Sequence, residues 1–446
     1  MKAMIYSSGR ELKQTAQLSG EVSFTADDVE NDAVSLYPDA QRQQIIGFGG
    51  ALTESAAYNY ALLDAQAKRD FISAYFDPQR GLGYNFCRLP IHSCDFSLAP
   101  YTYTEGCDPS LATFSVEHDK RYLFPLIEAA QSAAGKDRLE FFSSPWSPPA
   151  WMKDSGSLLR GGRLLAEYAS CWAEYIVRYL LEYRKQGVEI SAVTIQNEPH
   201  AVQTWESCQY TAEEEAEFAV RHLRPTLDRN GLSDVGIILW DHNKERLYQR
   251  ACDSLSVPGA AQAVWGIGFH WYSGSHFDGI ALTAAAFPEK KLIATEFCLG
   301  GREGLEVTVD DALRYARELA GDLKSGACAC VDWNVLLDEK GGPYHDRGFG
   351  CKAPVIYDKI RKALHYTPIF NAIGHFSRFI ERGAVSIGAS VFREDLLQAA
   401  VRNPDGKVVL VLANTAAEDY AVNIRLPEET AEISICGKSM LTVVME

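Results

Sequence analysis

The sequence predicts an α/β protein, a (β/α)₈ TIM barrel carrying a β-sandwich assembled from both ends of the chain. Three observations lead there. From residue 45 to 372, short apolar runs alternate with amphipathic stretches about eight times, which is the pattern of a closed barrel rather than an open sheet. From residue 373 to 446 the texture shifts toward strand-like segments separated by turn residues. Residues 1–44 also read as short strands with polar interruptions. Neither end piece buries enough surface alone, so the two are expected to pair in one sandwich.

The expected barrel strands are Ile45–Ala51, Tyr84–Ile91, Leu139–Trp146, Ala192–Glu198, Val235–Asp241, Gly266–Tyr272, Lys291–Phe297 and Ala329–Leu337. Between them Glu117–Ala134, Leu164–Gln186, Thr211–Asn230 and Val309–Lys324 place apolar residues at helical spacing. Thr211 followed by Glu213 and Glu214 is a helix start signal. In the C-terminal piece Ala384–Phe392, Leu396–Arg402, Lys407–Ala413, Tyr420–Leu426 and Ile433–Met445 read as strands. Asn403-Pro404-Asp405-Gly406 reads as a turn between two of them.

The 446 residues contain 47% apolar and 23% charged side chains, enough apolar material for a sizeable core. A formal charge of −16 argues against nucleic acid or an anionic membrane as partner, since both need basic patches. No apolar run approaches the roughly 18 residues of a membrane span, and the N-terminus lacks a signal-peptide pattern. The expectation is a cytoplasmic protein, with secretion requiring a leader outside this sequence. The eleven cysteines are scattered without a C-x-x-C pair and read as reduced packing residues.

Chemistry concentrates where the apolar runs end. Ala192–Ile195 runs into Gln196-Asn197-Glu198-Pro199, and Lys291–Thr295 runs into Glu296. In a parallel α/β barrel such endings carry the catalytic groups. Two carboxylates at two strand ends suit acid–base chemistry on an acetal. Other runs close on Asp95, Trp146, His270-Trp271-Tyr272 and Trp333. A sugar wants carboxylates and amides around its hydroxyls and an aromatic platform under its ring. Asp95 and Asn197 suit the first role, Trp146 and Trp333 the second. His270 reads as an orienting residue, and Arg88 as an internal counter-ion beside a carboxylate. No two histidines share ligand spacing on one element, so no metal and no other cofactor is expected.

These endings, in this order, resemble glycoside hydrolase family 30, the family of the glucosylceramidases. The resemblance rests on Ile46-Gly47-Phe48-Gly49-Gly50-Ala51-Leu52-Thr53-Glu54-Ser55, Ser93–Ser97, Ser144–Trp151, Gln196–Pro199, His270–Tyr272, Thr295-Glu296, Asp332–Asn334 and Gly374–Ile380. It implies a retaining, exo-acting β-glycosidase with Glu198 as acid/base and Glu296 as nucleophile. It further implies that Asn197 holds the sugar's 2-hydroxyl, that Asp95, Trp146 and Trp333 line the terminal-sugar pocket, and that Tyr272 lies close to the nucleophile. His270 joins the substrate-binding set, and Trp205 is a candidate platform for the leaving group. The partner implied is a carbohydrate or glycoconjugate. A glucosylceramidase-like β-glucosidase comes first, with β-xylosidase or β-1,6-glucanase as alternatives. A non-catalytic carbohydrate-binding barrel is the rival from another class. In many relatives the loop after the eighth run leads from Gly-Gly-Pro to an Asn-Phe pair that frames the sugar. Here Gly341–Pro354 lacks that Asn, which leaves the sugar open. His345 or Arg347 could replace it, although either alone reads as a solvated loop residue.

Overall fold

A computed structural model of the chain describes residues 1–135, 138–302 and 304–446. Eight parallel strands form the barrel: strand 1 (Gly47–Gly50), strand 2 (Phe86–Ile91), strand 3 (Glu140–Pro145), strand 4 (Ile190–Thr194), strand 5 (Gly236–Asn243), strand 6 (Gly266–His270), strand 7 (Lys291–Phe297) and strand 8 (Ala327–Asp332). Strand 8 pairs with strand 1, and a parallel bridge from Ala51 to Arg88 closes the ring onto strand 2. That closure needs glycine. A Cβ on Gly49 would lie 1.8 Å from the Phe86 carbonyl oxygen, and one on Gly47 would lie 2.0 Å from Asn85 Oδ1.

Side chains along a strand alternate between the barrel interior and the surrounding helices. Phe86, Phe142, Ala192, Ile238, Ile293 and Ala329 form one buried interior cluster, with Phe86 and Phe142 stacked at 5.2 Å. Two residues further along strands 2, 3 and 4 the interior positions are Arg88, Ser144 and Thr194, all fully buried. The barrel is thus plugged by apolar residues below and turns polar toward the strands' C-terminal ends.

Helix boundaries follow local chemistry. Thr211 caps the helix Ala212–Phe218 through a capping box with Glu214. The expected single helix to Asn230 is interrupted by a π-helical turn over Ala219–Leu223. Pro225 lies just beyond it and has no N–H to donate to the turn behind, which accounts for the wider winding. The expected helix from Glu117 begins as a 3₁₀ turn, with α-helix only over Leu123–Ala134.

The sandwich is one hydrogen-bonded sheet of ten strands, to which both chain ends contribute. Lys2–Ser7 pairs with Ser439–Met445, and Ala33–Gln44 with Val385–Val391. The expected strand Ile433–Met445 is two strands, Glu429–Ile435 and Ser439–Met445, broken at Gly437-Lys438, where Lys438 takes a positive φ of 50°. The expected domain boundary at 373 falls inside the helix Pro368–Ser377, and the sandwich strands resume at Val385.

His375 on that helix fastens the sandwich to the barrel. Thr442 Oγ1 donates to the His375 carbonyl at 2.9 Å, so Nδ1–H donates back to Thr442 Oγ1 at 2.9 Å. Nε2 is then left to accept from the Ser8 hydroxyl at 2.8 Å. Burial holds His375 down at about 3 from its usual 6.5. Its contribution is complete above 6.5 and is lost as pH falls toward 3, because the unfolded chain binds the extra proton in that window. The slope is at most about 1.4 kcal/mol per pH unit. A His375→Gln variant, followed by thermal unfolding from about pH 7 to about pH 4.5, should show a flatter loss of stability than the parent.

Candidate active site

Two irregularities in the barrel create the site. Between strands 5 and 6 the register jumps, with Gly268 opposite Trp240 but Phe269 opposite His242. The extra residue is Asp241, and both Trp240 and Asp241 take positive φ (72° and 47°). Between strands 6 and 7, Phe269 faces Ala294 but His270 faces Glu296, so Thr295 is extra. Such bulges re-aim the side chains that follow them. One brings Asp241 inward, and the other sets Glu296 opposite His270.

Strand 4 ends at Thr194 rather than Glu198. Its extension keeps bonding to both neighbours: Ile195 N to Ile238 O at 3.1 Å, Asn197 N to Pro145 O at 2.8 Å, and Glu198 N to Asp241 O at 3.0 Å. Glu198 itself has φ 48°, a conformation unfavourable for a residue with a Cβ and held by these bonds. The carboxylate is thereby fixed by its backbone.

Arg88 stands at the centre with no exposed surface. Its Nη1 donates to Glu296 Oε2 at 2.6 Å, and its Nη2 to Asp241 Oδ2 at 2.7 Å and Asn197 Oδ1 at 2.9 Å. Its Nε donates to Ser144 Oγ at 3.0 Å, and Ser144 in turn donates to Asp241 Oδ2 at 2.9 Å. The guanidinium lies 4.8 Å from the Trp146 ring centre and 5.5 Å from that of Trp333. Those two indoles stack on each other at 5.1 Å. Arg88 therefore orients the amide, two carboxylates and the aromatic wall together.

Both oxygens of Glu296 are engaged, since Tyr272 OH donates to Oε1 at 2.6 Å. Around Glu198 the partners differ. Gln203 Nε2 donates to Oε2 at 3.1 Å, while His242 Nδ1 and His270 Nδ1 each lie 3.5 Å from Oε1. His270 Nε2 is bonded to Asp241 Oδ1 at 2.9 Å. Burial alone would lower His270, but Glu296, Asp241 and Glu198 around it raise it to about 9. Burial alone would raise Glu198, but its contact with His270 and the charges of His242 and His270 hold it low. Asp241 is likewise held low against its burial by Arg88 and His270.

A cavity of about 550 Å³ opens onto this network, and its wall includes Asp95, Trp146, Asn197, Glu198, Glu296 and Trp333. Tyr272 and Trp205 line it too. Of the residues expected to contact substrate, His270 is the exception, being fully buried behind Glu198. It acts through that carboxylate instead. Asp95 sits at one end, bonded by Arg347 from the loop after strand 8. Burial, only partly offset by that guanidinium, pushes Asp95 up to about 6. Arg347 is not a solvated loop residue: its side chain is 9% exposed and lies over the rings of Phe96, Trp205 and Phe349. His345 is tied to Cys94 O at 2.8 Å. None of the eleven cysteines is bridged, although Cys298 and Cys351 in the cavity wall approach to 3.6 Å.

The chain matches the family model described as the glycosyl hydrolase family 30 TIM-barrel domain over residues 45–380, and that of the family's beta sandwich domain over 383–443. It belongs to glycoside hydrolase family 30. The lysosomal acid glucosylceramidase of Mus musculus is 32% identical over 417 residues, which cover 89% of this chain and 79% of that protein. The crystal structure of SrfJ from Salmonella typhimurium superposes with a TM-score of 0.96 at 34% identity, covering 100% of both chains. The endo-beta1,6-glucanase BT3312 superposes at 0.87 with 25% identity, covering 99% of each. The family 30 hydrolase described here thus shares its entire architecture, barrel and sandwich, with solved relatives.

Asp241 and His242 went unrecognised in the sequence, as did the contact of Gln203 with Glu198. Asp241 lies at the end of an expected strand, and a rule that inspects every strand end would have found it. His242 and Gln203 carry no such signal. Arg88→Met leaves Asp241 and Glu296 facing each other in a dry site, so unfolding in urea should show a loss of about 3–5 kcal/mol. Arg88→Lys should fold better than Arg88→Met yet turn over poorly, because one ammonium cannot reproduce the planar fork.

Proposed function

We propose that the enzyme is a retaining β-glycosidase that removes a terminal β-linked sugar, with Glu296 as nucleophile and Glu198 as acid/base. The observation that carries this reading is the asymmetry of the two carboxylates. Glu296 is ringed by fixed hydrogen-bond donors, the guanidinium of Arg88 and the hydroxyl of Tyr272. Glu198 faces an imidazole across 3.5 Å with which it can exchange a proton. An ion pair of Glu198 carboxylate with His270 imidazolium holds one proton, as does the neutral pair. A sugar that fills the cavity removes water, and the lower polarity favours the neutral arrangement with the proton on Glu198.

In the first step a Glu296 oxygen attacks the anomeric carbon, while the bond to the leaving oxygen breaks and that oxygen takes the Glu198 proton. In the second, water attacks the glycosyl ester, gives its proton to Glu198, and releases Glu296 with the sugar's configuration retained. Asn197 Oδ1 is held by Arg88, which leaves its NH₂ free to meet the sugar's 2-hydroxyl.

Exo action is supported by the loop that clamps Asp95 in the cavity wall. Arg347 bonds Asp95 there, while the loop that carries it is fastened through the His345 N–H to Asp95 O at 3.0 Å and by Thr204 to the Asp346 carbonyl. Glucose is the first choice of sugar, in keeping with the glucosylceramidase relatives. An endo-acting β-1,6-glucanase is the second reading. It is favoured by the endo-beta1,6-glucanase among the similar structures.

Glu198→Ala should lower kcat/KM about 10²–10⁴-fold on alkyl glycosides and far less on dinitrophenyl glycosides, whose leaving groups need no proton. Equal losses on both would sink the assignment of Glu198. Glu296→Gln should abolish turnover of both substrate types. A panel of aryl glucoside, xyloside, galactoside and fucoside should show the glucoside turned over fastest. On a linear β-1,6-glucan, release of monosaccharide alone supports exo action, whereas oligosaccharides of mixed length select the second reading.

A further inference from the structure

Glu198, His242 and His270 converge from the ends of strands 4, 5 and 6, and their Oε1 and two Nδ1 atoms all lie within 4.8 Å of one another. Both Nδ1 atoms are buried and have no hydrogen-bond partner among the described residues. His270 is fully buried, and its Nδ1 points at Glu198 Oε1. What sets this pair apart is that both nitrogens lie 3.5 Å from the same carboxylate oxygen.

The geometry points to a second use of this cluster: it is a binding site for a divalent first-row transition metal ion, with zinc as the type case, and occupancy of the site switches hydrolysis off. Once the proton that His270 shares with Glu198 is displaced, two imidazole nitrogens and one carboxylate oxygen form a zinc donor set with a fourth position open. The single carboxylate and the nitrogen ligands select against magnesium and calcium, which require oxygen-rich sites. The second layer is already built. His270 Nε2 is bonded to Asp241 Oδ1 at 2.9 Å, the carboxylate–histidine pairing that orients a metal-ligating ring. Asp241 is itself held by Arg88 and Ser144. Each Nδ1 lies 3.5 Å from Glu198 Oε1, close to the spacing of two ligands on one tetrahedral ion with bonds of about 2.0–2.1 Å.

The consequence follows from which carboxylate is used. A Glu198 oxygen committed to a metal can neither carry a proton to the leaving oxygen nor take one from water, so both half-reactions stop. The inhibition, but not the binding, rests on the assignment of Glu198 as acid/base.

The test has a binding arm and a kinetic arm, both on the intact enzyme. Titration of ZnCl₂ followed by calorimetry should show one ion bound. Co²⁺ in its place should give the visible absorption of a tetrahedral nitrogen–oxygen site. Aryl glycoside hydrolysis should fall with the same concentration dependence and recover on adding EDTA. His242→Phe and His242→Asn, each checked for folding by circular dichroism, should weaken zinc binding at least about tenfold. The double variant Cys298→Ser with Cys351→Ser should leave it unchanged. Absence of binding, or undiminished affinity in both His242 variants, overturns the proposal. Loss of binding in the cysteine variant also overturns it, by moving the ion to the thiols. Full occupancy without inhibition would uphold the site and overturn instead the role of Glu198.

Discussion

A guanidinium with no water around it must find its compensation in protein atoms, and Arg88 finds it in two carboxylates, an amide and a hydroxyl. The desolvation of such a group costs several kcal/mol, and only good geometry recovers it. That requirement dictates where Glu296, Asp241, Asn197 and Ser144 stand. They come from four different strands or their extensions, so one residue ties strands 3, 4, 5 and 7 to strand 2. The arrangement has two anions for one cation in its inner ring, and the imbalance is relieved by His270, which is drawn toward its charged form. Electrostatics in this barrel are therefore a chain: Arg88 serves Asp241 and Glu296, Asp241 serves His270, and His270 serves Glu198.

The chain explains why the two glutamates differ though both lie at strand ends in one cavity. Glu296 receives hydrogen bonds from groups that do not give up their protons near neutral pH, Arg88 and Tyr272. Glu198 faces imidazoles, the side chains suited to proton exchange in that range. A carboxylate among fixed donors suits the part of nucleophile proposed for Glu296. One beside an imidazole is a proton carrier. The division of labour is written in the neighbours rather than in the glutamates.

Much of this was legible in the sequence, and the limits were physical. Apolar runs located all eight barrel strands, and Lys291–Phe297 was located to the residue, because a buried parallel strand is continuously apolar and ends where polarity begins. Arg88 was readable as a counter-ion because an arginine inside such a run has no other means of support. Strand 4 was read too long, since Ile195–Glu198 continues to bond laterally while leaving regular strand geometry. The bulges at Asp241 and Thr295 were invisible, because one extra residue between parallel strands leaves no mark in composition or period. His242 was lost for that reason: its place beside Glu198 depends on the shift in register that Asp241 introduces. Arg347 was misjudged on local polarity, which carries no information about Asp95 waiting 252 positions away in sequence.

The loop that carries Arg347 bears on substrate choice more than the catalytic pair does. Arg347 bonds the Asp95 carboxylate and the His345 N–H bonds the Asp95 backbone carbonyl, so that carboxylate is held and already partly satisfied. A sugar hydroxyl arriving there competes for the remaining lone pairs, and its approach is set by the loop's backbone. Gly348, next to Arg347, is where an added side chain would meet open space rather than protein. The catalytic carboxylates see only the anomeric carbon and the two oxygens exchanged on it. Under the proposed reading, which ring lies above them is set at Asp95 and the loop that clamps it. In that reading, reaction and selectivity are held by separate parts of the fold, the first by rigid strands and the second by one clamped loop.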